Sequence, residues 1–164
     1  MDLYPWVVIA HVFFVIVAFG AHGASAFAVF QVQRETDRGR LAAILDLSFR
    51  SLVVAGIGIL VAVALGIIAA IMGGHFGRLW PWVSIVVVAV TFVAMTPMAA
   101  LPMNEVRRAV GMPVRGDKPG DTPREPASDA DIAAARARLR PELVASLGIV
   151  ALAVLVWLME AKPF

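Results

Sequence analysis

The stretch SLVVAGIGILVAVALGIIAAIMGG, residues 51–74, runs without a single Asp, Glu, Lys or Arg. A bilayer core about 30 Å thick is crossed by about 20 apolar residues of helix. The stretch therefore has both the length and the composition of a membrane span. Working outward from it, charge is also missing between Leu3 and Gln33, between Leu79 and Asn104, and between Leu143 and Met159. Only 16% of the chain is charged and 60% is hydrophobic, where a soluble domain carries roughly 25% charged residues. A chain this short has too much surface to hide four helices that are apolar all round, so a soluble bundle is excluded. The expected fold is an all-α membrane protein. It is a bundle of four antiparallel transmembrane helices at about 5–30, 51–73, 81–103 and 142–160, forming one domain over 1–164.

The connections set the orientation. Arg34, Arg38, Arg40 and Arg50 flank the first connection; Arg107, Arg108, Arg115, Lys118, Arg124, Arg136, Arg138 and Arg140 fill the last. The turn around Gly73 to Pro81 holds only Arg78, and the tails add only Lys162. Cytoplasmic loops collect Lys and Arg, which puts both basic connections inside and both termini outside. The aromatic residues agree, since Tyr4, Trp6, Trp80, Trp82 and Trp157 all fall at span ends assigned to the outside, where amphipathic rings prefer to sit. Ala24-Ser25-Ala26 has the form of a cleavage site. However, the start lacks a positive region and the apolar run exceeds the ~7–15 residues of a signal core, so the first span is read as retained.

Within the loop 104–141, residues 111–127 contain Pro113, Pro119, Pro123 and Pro126 and are expected to be flexible. Residues 128–140 read as a short helix, with Ser128 or Asp129 as cap and Arg136, Arg138 and Arg140 at its end. It is expected to lie along or project from the membrane surface, where its arginines meet anionic headgroups. The polar segment 33–46 suits a helical extension broken only at Gly39. Pro97 is expected to kink the third span and free a carbonyl near Val93. The net charge of +2 is too small and scattered for nucleic acid. With no cysteine, disulfides and thiolate metal sites are ruled out.

In the opening stretch Gly58, Ala62, Gly66, Ala70 and Gly74 recur every fourth residue. Such a ridge lets helix backbones approach in lipid, where helices associate by close packing. It suits packing against a helix of this chain, a homo-oligomer or a larger membrane complex.

Three histidines carry what chemistry there is. His11 and His22 are eleven residues apart, so they share one helix face at levels ~16 Å apart and cannot both hold one ion or one haem iron. Near His22, between Gly20 and Gly23, Met95 and Met98 reach a similar depth. A His/Met pair ligates haem iron or copper. Thr91 shares their face by helical spacing. At the outer level His11 and His75 form a candidate bis-histidine metal site if the glycine turn folds inward. The plainer alternative is that His11 and His22 donate hydrogen bonds to facing carbonyls and that His75 is an interfacial residue of its turn. No carboxylate lies deep in a span, and P-loop, HExxH and nucleophile-elbow patterns are missing. No catalytic residue is assigned, and a conventional hydrolase is excluded.

The His11 helix, the polar Arg34–Arg50 connection, the small-residue helix ending Gly73-Gly74-His75, the Trp80-Pro81-Trp82 turn and the Pro97/Pro102 helix ending Asn104-Glu105-Val106-Arg107-Arg108 resemble uncharacterised bacterial four-helix integral membrane proteins. In layout these are similar to the membrane part of copper-resistance D-type proteins. The resemblance covers about residues 5–110. It implies a helical bundle in a bacterial inner membrane and a metal or haem role resting on the first-helix histidine, here His11. The Pro-rich loop and the few outer Met and His residues depart from that pattern and weaken a copper-uptake reading. Two functions stand side by side. One is a non-catalytic subunit or accessory protein packing against other membrane helices. The other is a membrane protein handling haem b or copper through His11 or His22. A conductor assembled as an oligomer needs a polar lining that no single span provides.

Overall fold

A computed structural model of the chain describes residues 2–114, 117–118 and 124–164; Arg115, Pro119 and Pro123 of the expected flexible loop lie outside these. Among the described residues all regular structure is helical. Helix α1 spans Tyr4–Arg34, with Pro5 in its first turn, where a missing N–H costs nothing. Helix α2 spans Arg38–Met72. The chain reverses at residues 35–37, and the Asp37 carboxylate caps α2 by accepting from the Arg40 main-chain N–H at 2.8 Å. Gly39 sits in the first turn of α2 and breaks nothing; the break in the segment 33–46 falls at residues 35–37 instead.

After α2 the backbone turns at Gly74, whose φ of 66° lies in the left-handed region that favours glycine, and makes one 3₁₀ turn over His75–Gly77. Helix α3 covers Trp80–Met95, and α4 covers Leu101–Ala109. Between them Thr96–Ala100 form a π turn in which the Leu101 N–H reaches back to the Thr96 carbonyl. Pro97, which cannot donate, is the physical cause of this local widening, and the Thr96 hydroxyl satisfies the Phe92 carbonyl at 3.3 Å. Helix α5 covers Asp129–Ala137, with Ser128 accepting from the Asp131 N–H, and α6 covers Pro141–Ala161.

Four helical stretches, Tyr4–Arg34, Arg38–Met72, Trp80–Ala109 and Asp129–Ala161, are long and apolar enough to cross a membrane. Only between 6% and 22% of their apolar windows is buried inside the chain. Leu60, Ile16, Val93 and Ile149 point outward with more than half their surface free. This exterior is greasy and the interior holds small residues, which is the reverse of a water-soluble bundle.

The most extensive packing is between α1 and α2, and the second is between α3 and α6; α1 and α6 join the two pairs. The α1–α2 seam is made of close approaches. A Cβ on Gly58 would fall 3.1 Å from that of Ala18, and Ser25 hydrogen-bonds Ser48 at 2.8 Å in a buried position. Ala62 and Ala70 are buried in the same seam, so the small-residue ridge faces a helix of its own chain. Gly74 serves the turn instead, with open space where a side chain would be.

At the end that carries the basic connections a second, water-soluble style of core forms. Val29 and Val32 of α1, Leu41 and Leu45 of α2, Met103 and Val106 of α4, Ile132 of α5 and Leu139 bury one another. Helix α5 is therefore held against the chain by its apolar face. Arg107 pins this cap. Its guanidinium donates to the Leu45 carbonyl at 2.9 Å and the Pro113 carbonyl at 3.1 Å, and it stacks over the Phe49 ring. The described parts of the Pro-rich segment are tied as well, by Met112 N–H to the Arg107 carbonyl, Ala127 N–H to the Ala109 carbonyl, and the Arg124–Asp117 ion pair at 2.7 Å. Ion pairs Arg38–Asp129 and Arg138–Glu105 close the surface.

Candidate functional site

His11 uses its side chain structurally. Its Nδ1 lies 2.7 Å from the Ala62 carbonyl oxygen, and its ring lies flat against Gly66, where a Cβ would come within 2.9 Å of Cε1. Ala62 and Gly66 of the ridge are thus the seat of this histidine. The ring also borders a cavity of about 60 Å³ whose other walls are apolar, which is too small for any organic cofactor.

His75 belongs to a different level. It folds back over Gly73, packs on Trp80 with tilted rings at 5.5 Å between centroids, and has its Nε2 3.5 Å from the Tyr4 hydroxyl. Beside it Phe76 packs on Trp82, whose indole N–H donates to the Phe76 carbonyl at 3.2 Å. Tyr4, Trp80 and Trp82 thus gather at one end of the molecule. The expected His11–His75 pair is not brought together, because each ring has its own partners and His75 lies nine residues beyond Gly66. Among the described residues no group of three or more His, Asp or Glu side chains is placed to hold a metal.

His22 is different. It has no hydrogen-bond partner among the described residues and borders a cavity of about 290 Å³. Ala18, Phe19 and His22 of α1 and Gly148, Ala151 and Leu155 of α6 form its floor. Leu52, Ala55, Gly56 and Ile59 of α2 make one wall. The other wall is Val88, Thr91, Phe92 and Met95 of α3, continued by Thr96, Ala99 and Ala100 of the π turn. Helices α2 and α3 hardly touch, so the space between them is a cleft. Exposed Leu52, Phe92 and Thr96 stand at its mouth. No charged residue lines it.

Of the expected cofactor residues, the fold brings His22 and Met95 together. A Cβ on Gly148 would lie 3.3 Å from His22 Nε2 and 3.6 Å from Met95 Cε, so both tips converge on the bare backbone of α6. Met98 is not part of the lining. From Met95 the lining continues at Ala99, one regular helical step of four residues on. A haem does not fit the pair: a porphyrin centred between His22 and Met95 would need the space occupied by the α6 backbone at Gly148. Gly148, Phe19 and Gly56 were not singled out by sequence. Glycine in a span is a weak signal, and which helix a glycine faces is not written in its own segment. Comparison with protein-family models, with curated proteins and with solved structures returns no match.

Proposed function

We propose that the chain is an antiparallel bundle of four transmembrane helices in a bacterial inner membrane. Its basic end lies in the cytoplasm, and its Gly73–Pro81 turn and both tails lie outside. It works there as a non-catalytic accessory protein that receives a small lipid-soluble molecule in the cleft between α2 and α3. The Arg-rich connections and the aromatic cluster at the opposite end support the orientation. The cleft carries the functional reading: an apolar space with a few polar groups, open sideways among helices, is the usual form of a small-molecule site. The greasy outer faces leave room for partner helices or further copies of the chain.

The test is photolabelling of the full chain in lipid nanodiscs with an alkane that carries a diazirine. Saturable adducts on Leu52, Phe92, Met95 and Thr96, lost in an Ala99→Trp variant that fills the cleft, are the expected result. Adducts spread evenly over the outward residues Ile57, Val90 and Val93 would refute the reading.

A second reading rests on the convergence of His22 and Met95. An imidazole nitrogen and a thioether are soft ligands suited to a single copper(I) ion, which needs no flat space. Copper(I) retained by the purified protein and lost in both His22→Ala and Met95→Leu would favour it.

A further inference from the structure

Resting on the reading of the cleft as a small-molecule site, we propose that its ligand is an uncharged lipid-soluble molecule bearing a hydroxyl group. The hydroxyl donates to a threonine of α3 or the π turn and accepts from His22. Thr91 already spends its proton on the Val87 carbonyl at 2.7 Å, and Thr96 spends its own on the Phe92 carbonyl. Each oxygen keeps lone pairs but has no proton left to give. The Met95 sulfur accepts weakly. The His22 imidazole, without a partner among the described residues, brings one N–H and one lone pair. The polar groups around the cleft therefore offer several acceptors and a single donor. A ligand that only accepts can satisfy at most the His22 N–H, whereas one with an O–H satisfies both kinds.

The same lining excludes other headgroups. No Lys or Arg borders the cleft to neutralise a carboxylate or phosphate, and no Asp or Glu borders it to hold an amine. Placing a charge there would leave it desolvated and unpaired, at great cost. The space of about 290 Å³ takes a single ring or the head of a chain, and the rest of the molecule leaves by the mouth at Leu52, Phe92 and Thr96. Two classes of lipid share this chemistry: a phenol or quinol ring on an apolar tail, and a long-chain alcohol. Phe19 and Phe92 on the lining favour the ring.

The experiment compares three photoprobes on the full chain in nanodiscs. They are a diazirine-bearing alkylphenol, its methyl ether, and an alcohol of the same chain. The alkylphenol is expected to half-saturate cleft labelling at a tenfold or lower concentration than the ether, which accepts but cannot donate. His22→Phe keeps a ring of similar size, and Thr91→Val keeps the shape of threonine. Thr91→Val combined with Thr96→Val should erase the difference between phenol and ether, whereas His22→Phe should weaken both probes alike, in each case without moving the helical spectrum. An alcohol as good as the phenol assigns recognition to the hydroxyl alone, and an alcohol no better than the ether assigns it to the phenolic ring; both uphold the proposal. Equal cleft labelling by phenol and ether overturns the hydroxyl while leaving the cleft as a binding site. Failure of all three to label the cleft overturns both.

Discussion

The proton of His11 lies on Nδ1, because the atom it faces is a carbonyl oxygen, which can only accept. The ring thus ties α1 to α2 and is not a free ligand at that nitrogen. His11→Phe keeps a ring over Gly66 but loses the bond, and should lower stability by about 0.6 kcal/mol, the average for such bonds between membrane helices. Gly66→Leu should cost far more, since its first carbon already meets the imidazole at 2.9 Å. Unfolding midpoints in one detergent rank the two, and equal midpoints would count against this packing. Arg107 is the second single residue with wide reach. Arg107→Met leaves the carbonyls of Leu45 and Pro113 without their donor, each hydrogen bond to a charged group being worth roughly 1.5–3 kcal/mol. Faster proteolysis within residues 110–127 is the expected readout, and an unchanged rate would show that the pin does not hold the cap. Asp117 gives the cap a pH dependence. The Arg124 guanidinium first, and the Val114 N–H after it, hold its carboxyl below the usual carboxylate range. A depressed carboxylate stabilises the fold above its ordinary pKa of about 4 and loses that effect as pH falls through the lowered value. Exchange of the Val114 amide should therefore stay slow at neutral pH and speed up only below that range, and Asp117→Asn should remove the step.

At the scale of elements, α1 and α2 meet in layers seven residues apart. His11 seats on Ala62 and Gly66, Ala18 packs against Gly58, and Ser25 hydrogen-bonds Ser48, while Val32 shares a core with Leu41. A double-mutant cycle on Ser25→Ala and Ser48→Ala should give a coupling of about 0.6 kcal/mol, with ~1.7 as the upper end; no coupling would mean that the two hydroxyls are solvated separately. The α2 half of this seam was legible, because Gly58, Ala62, Gly66 and Ala70 repeat without interruption. The α1 half was not, since its small residues alternate with bulky Phe and Val that face outward. The cleft was hidden for a related reason. Its walls are α2 and α3, consecutive in the chain yet nearly out of contact, and nothing within either segment says that α1 and α6 come between them.

For the whole molecule, charge distribution was the strongest signal, and each of the four apolar stretches falls on one of the four long helical stretches, although the second of these already begins at Arg38. It said less about the polar third of the chain. The prolines of 111–127 read as a flexible loop and residues 128–140 as a short helix; that Val106, Ile132, Leu139 and Arg107 join the flanking helices into a packed cap was not foreseen. Isolated apolar residues in a polar stretch carry little periodicity, and their burial depends on partners far away in sequence on α1 and α2. The central claim is that these four helices cross a bilayer with the cap on the inner side. The chain has no cysteine, so single cysteines report cleanly on sidedness. Gly77→Cys in the turn and Glu125→Cys in the cap would each be exposed to a membrane-impermeant maleimide on intact bacterial spheroplasts. Labelling of the Gly77→Cys variant alone, with Glu125→Cys reacting only after the membrane is opened, is the predicted result. Labelling of Glu125→Cys from outside, or recovery of either variant in the detergent-free soluble fraction, would contradict it.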